Sequence, residues 1–170
     1  MTAGNDTNQF TSTSFGSLTS VTVSDTTLNG ATLASAIDQA NSATGDTSVV
    51  FTITAADEIQ GTEGNFTDLL ADEGNSQISI TDQNINVNSG TLTVDNANLL
   101  GTTTSGKLTA TIATTETVTE LATLSADGGT NDLTVVIRAD DATSSTAAQL
   151  NAINNATALA VDLTNVTALA

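Results

Sequence analysis

Residues 133–170 read LTVVIRADDATSSTAAQLNAINNATALAVDLTNVTALA. Leu133–Arg138 alternates β-branched and apolar residues with a period of two, the pattern of a half-buried strand. A polar turn follows (ADDATSS, 139–145). Residues 146–156 then place Leu150 and Ile153 at helical spacing behind Thr146 and Gln149. Those two fit the T-x-x-E/Q capping box, in which the threonine oxygen caps the third helical amide and the third side chain answers. Residues 159–163, LAVDL, resume the strand pattern. One unit is therefore strand, loop, short helix, and the next strand begins another.

Working outward, the same unit recurs with drift. Alternating runs stand at Val21–Val23, Phe51–Ile53, Ile78–Ile80, Leu108–Ile112, Leu133–Ile137 and Leu159–Leu163. With Val23, Ile53, Ile80, Ile112, Ile137 and Leu163 as anchors, the steps are 30, 27, 32, 25 and 26 residues. Steps of that size belong to repeat arrays. Helical spacing appears between anchors, at Leu33 and Ile37, at Phe66, Leu69 and Leu70, and at Val118 and Leu121. A second capping box, Thr117 to Glu120, opens the third of these. After Ile80 the pattern changes. Ile85, Val87, Leu92 and Val94 alternate, which predicts extra strand with Ser89-Gly90 as a turn, a hairpin or a break between halves, and Asn96–Leu100 as a residual helical turn.

Strands joined by crossovers of this length run parallel. No unit carries enough apolar surface for its own core, so neighbours must share one. The fold expected is an α/β repeat, a solenoid-like stack of strand–loop–short helix units with parallel strands; the alternative is a mostly-β sandwich. Residues 1–17, polar and without period, are expected to be a flexible or docking arm, and 18–170 a single repeat domain of about six units. The last stretch is apolar to Ala170, where a solenoid should carry a polar cap. It is expected to pack against another subunit or to continue into a longer protein.

Composition narrows the function. Hydrophobic residues make up 38% of the 170, aromatics only 2%, so the core must be built of Ala, Val, Leu and Ile. Nineteen acids face two bases, Lys107 and Arg138, for a net charge of −17. A chain so acidic has no basic patch for nucleic acid or an anionic membrane. It contains no His, Cys, Trp, Tyr or Pro. The commonest general base, the thiolate nucleophile and thiolate metal ligands are thereby excluded. The start lacks the basic and apolar regions of a secretory signal, and no stretch approaches the ~18 apolar residues of a membrane span.

Four groups of residues are candidates for chemistry. Asp127, Asn131 and Asp132, with Gly128 and Gly129 between, carry oxygen ligands at the spacing that begins a calcium loop. They lack the bidentate glutamate that closes one, and the competing reading is a turn before a strand. Asp140-Asp141 lies before the Thr146 helix, where acids favour a helix start. Asp57-Glu58 and Asp72-Glu73 would be the acid/base pair of a glycosidase if the fold joined them, and are otherwise a solvated face. Arg138 reads as an ion-pair partner. Asn5, Asn65, Asn155 and Asn165 stand in N-x-T sequons, as chance supplies in so Thr- and Asn-rich a chain.

Thr146–Thr157 (TAAQLNAINNAT), followed by Val161–Leu169 (VDLTNVTAL), resembles the repeated units of large surface and virion proteins from marine cyanobacteria and their phages. The likeness is clearest over 133–170 and faint over 21–126. It implies a structural role outside the cell or on a particle, and brings no catalytic residues or cofactors. The function expected is therefore a non-enzymatic capsid decoration or knob-like protein of a marine phage, at the virion surface. Its partner would be the major capsid protein or another virion protein, with self-association through the C-terminal strand as a further contact. The alternative is a cell-surface adhesin or S-layer module that uses calcium. High ionic strength would shorten the Debye length and make the charge tolerable.

Overall fold

The computed structural model describes residues 2–3, 19–45, 49–54, 57–125 and 130–170. The strands are β1 (Thr2–Ala3), β2 (Ser20–Val23), β3 (Thr27–Asn29), β4 (Val50–Ile53), β5 (Glu58–Gly61), β6 (Asn84–Val87), β7 (Leu108–Thr111) and β8 (Asp132–Thr134). The helices are α1 (Gly30–Thr44), α2 (Glu63–Gly74), α3 (Val94–Thr103), α4 (Val118–Leu121) and α5 (Ala147–Asn155).

Every strand pair is parallel. One sheet has the order β1-β2-β4 and the other β3-β5-β6-β7-β8, so each new strand of the larger sheet is laid beside the previous one. This is an α/β fold with a five-stranded parallel sheet alternating with helices, and it decides against the β-sandwich alternative. In the larger sheet Thr27 pairs with Glu58, Glu58 with Asn84, Ile85 with Leu108 and Thr109 with Asp132, steps of 31, 26, 23 and 23 residues. Isolated parallel bridges, Leu92 to Ile112 and Val136 to Asp162, continue the pairing beyond the regular strands.

The alternating runs become strands where both edges find partners. Val21 and Val23, Phe51, Ile85 and Val87, Leu108 and Ala110, and Leu133 all point into the core. Thr, Asn and Gln alternate with them on the other face, as the pleat requires. Two strands have no counterpart among the anchors. The sequences TLN of β3 and EIQG of β5 each bury one large aliphatic, Leu28 and Ile59, too little for an alternation to be read. The first layers therefore give a strand to each sheet, whereas the anchors assigned them one.

The expected hairpin at Ser89-Gly90 does not form. Gly90 bends the chain at φ +82°, which only glycine adopts without strain. The strand before it is already paired on both sides, with β5 and β7, leaving no edge for a hairpin or a break. The predicted helical turn at 96–100 is the middle of α3, a helix that runs from Val94 to Thr103 and buries Val94, Ala97 and Leu100. Ile78 and Ile80 are buried in alternation, yet this run forms no regular strand; its backbone link to the smaller sheet is Gln77 C=O accepting from Phe51 N–H at 2.6 Å.

The core is one continuous band of small aliphatics with two described phenylalanines, Phe51 and Phe66, both 1% exposed. At one corner the backbone leaves no room for a side chain. A Cβ on Gly106 would lie 2.3 Å from Gln83 C=O, where the turn into β7 crosses the start of β6. Of the 1–17 arm, the described part is β1, whose Thr2 and Ala3 pair with Thr22 and Val23.

Candidate functional site

Helix starts line one edge of the molecule, and each has a side-chain cap. Asn29 accepts from Thr32 N–H. Thr62, Thr93, Thr117 and Thr146 accept from the amides of Asn65, Asn96, Glu120 and Gln149. Three are full capping boxes, the two read in the sequence and one at Thr62, where Asn65 stands in place of Glu or Gln. Each cap satisfies amides that a helix start leaves without an intrahelical acceptor.

Two acids along this edge cap the helix of a neighbouring layer. Glu63, first residue of α2, accepts from Thr93 N–H at 2.9 Å, Thr93 Oγ1 at 2.8 Å and Asn96 Nδ2 at 2.8 Å, all at the start of α3. Partial burial raises its pKa, but the three hydrogen bonds outweigh that and hold it below the ordinary glutamate range. Asp141 is 7% exposed; its Oδ2 accepts from Val118 N–H of α4 at 2.8 Å and from Arg138 Nε at 2.9 Å. Arg138 thus makes the expected ion pair. Asp141 also serves a helix start, but that of α4 in the preceding layer rather than that of the Thr146 helix.

At the opposite corners, where the chain turns into a strand, buried side chains bind backbone that the ladders leave unpaired. Asn131, 4% exposed, accepts from Leu108 N–H at 2.7 Å through Oδ1. Thr157, 5% exposed, accepts from Leu133 N–H at 2.9 Å and donates to Leu133 C=O at 2.8 Å. Thr104 donates to Gln83 C=O and accepts from Gly106 N–H at 2.9 Å. No periodicity betrays these residues, because each is recognisable only once the facing backbone is known.

The calcium candidates are placed as follows. Asp127 lies outside the described residues. Asn131 is buried and turned toward Leu108, and Asp132 Oδ2 meets Lys107 Nζ at 2.7 Å. Among the described residues, no three of Asp, Glu, His and Cys gather closely enough to hold a metal ion. The two acid pairs are not joined. Glu58 accepts from Gln60 Nε2 and from Asn86 Nδ2 at 3.5 Å along the larger sheet. Asp72 is 9% exposed on α2, where burial first, then Asp38 and Asp68, pushes its pKa to about 6. Among the sequons, Asn65 belongs to the Thr62 cap, and Asn165 Nδ2 donates to Ile137 C=O at 2.7 Å.

One open groove of about 560 Å³ lies along β4, between Val50–Ile53 and the Ile78–Gln83 segment. Its acids are Glu73, which accepts weakly from Ile80 N–H at 3.4 Å, and Asp82, in reach of Ser105 Oγ at 3.4 Å. Neither faces a described nucleophile–base pair, and the groove has no aromatic wall beyond Phe51. The molecule is thus a parallel-sheet α/β protein in which most of the distinctive polar side chains bind its own backbone. No protein-family model, no curated protein and no solved structure matches the chain. Among the described residues, no helix is long and apolar enough to cross a membrane.

Proposed function

We propose that this chain is a non-enzymatic structural protein of a virion, a decoration or knob-like protein on the outside of a marine phage capsid. It would be held by the major capsid protein or another virion protein, with no role for nucleic acid or membrane. The observation that carries this reading is the use of the polar side chains. Glu63, Asp141, Asn131, Thr104 and Thr157 each join one layer to the next through backbone groups. An active site would need such groups free and convergent. The likeness of Thr146–Thr157 and Val161–Leu169 to repeats of cyanobacterial and phage surface proteins supports the same reading.

We read the architecture more finely as a solenoid-like stack. Sequential strand order, near-constant register steps and hydrogen bonds that continue around the corners support it. Examples are Thr54 N–H to Val23 C=O and Asp57 N–H to Thr26 C=O. A stack offers an elongated, acidic, passive surface, suited to a particle exposed to salt.

Peptide mass spectrometry and immunogold labelling of purified phage particles test the reading. The chain should be present in fixed ratio to the capsid protein and labelled on intact particles. Recovery only from the envelope of uninfected cells would refute it. The adhesin or S-layer alternative, which the same likeness favours, is separated by calcium. A melting temperature raised by millimolar calcium and lowered by chelator would support that alternative through binding linkage.

A further inference from the structure

The final strand of the molecule ends three core columns without covering them. Asp162 N–H donates to Val135 C=O at 2.9 Å, and Ile137 N–H to Asp162 C=O at 3.1 Å. Ala158 N–H donates to Asn131 C=O at 2.8 Å in the same register. Leu159, Val161 and Leu163 therefore lie directly beside Leu133, Val135 and Ile137. The inner three are 2%, 1% and 0% exposed; Leu159 and Leu163 are 40% and 43% exposed, and Val161 is half-buried. By register these are core positions, open because nothing described lies on their outer side. In a parallel ladder a residue bonded through both main-chain groups on one side leaves its neighbours' groups pointing to the other. The N–H groups of Val161 and Leu163 accordingly find no acceptor among the described residues.

We propose that this edge is where two copies of the chain join end to end, about a two-fold axis. Charge selects the occupant. Of the chain's nineteen acidic side chains, residues 142–170 hold only Asp162. Two molecules of charge −17 repel through every other face, and most weakly through this one. A two-fold axis at Val161 would pair the edges antiparallel and set Asp162 opposite Ala160 of the partner subunit rather than against its own counterpart. The outer N–H groups would gain acceptors, and Leu159, Val161 and Leu163 would be covered. An isologous contact also closes on itself, so it yields a dimer and not a fibre.

Sedimentation velocity of the full chain, over a wide concentration range at low and high sodium chloride, tests this. A monomer–dimer equilibrium is expected, shifted toward dimer by salt as repulsion is screened. Leu163→Asp should weaken it roughly tenfold or more, while Leu99→Asp, on the exposed flank of α3 (49% exposed), should leave it unchanged. Circular dichroism checks that both variants are folded. Should Leu163→Asp not fold, amide exchange on the unaltered chain decides: Val161 and Leu163 should slow as concentration rises. A monomer at every salt and concentration, a species larger than a dimer, equal weakening by both variants, or exchange independent of concentration would each overturn the proposal.

Discussion

The layers from β3 to β5 and those from β6 to β8 advance the same sheet by different means. The first step takes 31 residues and the last two take 23. The long step contains α1, of 15 residues, and leads to α2, of 12. These helices pack on each other and bury Ile37, Phe66 and Leu69. In the short steps α4 has four residues, and Asp141, Asn131 and Thr157 hold adjacent layers through their backbones. Where the excursion is long enough to build an apolar face, burial stabilises the layer. Where it is too short, buried side-chain-to-backbone hydrogen bonds take over.

The sharpest break of this contrast is Phe66→Ala. Loss of a fully buried ring should cost about 3–5 kcal/mol, read as a fall in the denaturant midpoint. Amide exchange should rise first over α1 and α2; a uniform rise would erase the distinction between the two regions. Asp141→Ala should cost less, about 2–3 kcal/mol, because it leaves Val118 N–H and Arg138 without their acceptor. Its exchange should rise around α4 and β8 instead.

Asp72→Asn moves stability the other way. The folded pKa of about 6 lies above the ordinary 3.8. Between these values the folded state keeps a proton that the unfolded chain has lost. Stability contributed by Asp72 therefore falls as pH rises from about 4 to about 6 and stays lost above. The variant should equal the parent near pH 4 and be more stable at pH 8, by about 1–2 kcal/mol after allowing for partial solvation. Melting curves at the two pH values check this, and equal stability at pH 8 would mean that α1 and α2 meet without electrostatic cost. The smallest effect is expected for Lys107→Met. Its pair with Asp132 is half-exposed, so the loss should be about 0.5 kcal/mol or less and should vanish in high salt.

The two regions were also unequally legible. In the second, Leu108–Ile112 and Leu133–Ile137 alternate cleanly, and the capping boxes at Thr117 and Thr146 mark their helices. In the first, β3 and β5 escaped reading because each buries a single large aliphatic. The anchors therefore mixed strands of two sheets, although their spacing had the right scale. Asn65 concealed the Thr62 box by replacing the usual Glu or Gln. Val94, one of four alternating apolar residues, was taken for strand and begins α3, because Thr93 with Glu63 caps a helix there.

Local pattern was enough to determine parallel strands alternating with helices, a core of small aliphatics and a chain too acidic and too poor in reactive groups for ordinary catalysis. Those properties depend on side-chain period and composition, which a sequence carries directly. The division into two sheets, the caps that Glu63 and Asp141 lend to neighbouring layers and the uncovered columns at Leu159–Leu163 were decided by tertiary structure. Each depends on which backbone groups face one another across 20 to 30 residues of chain, and neither spacing nor hydropathy records that.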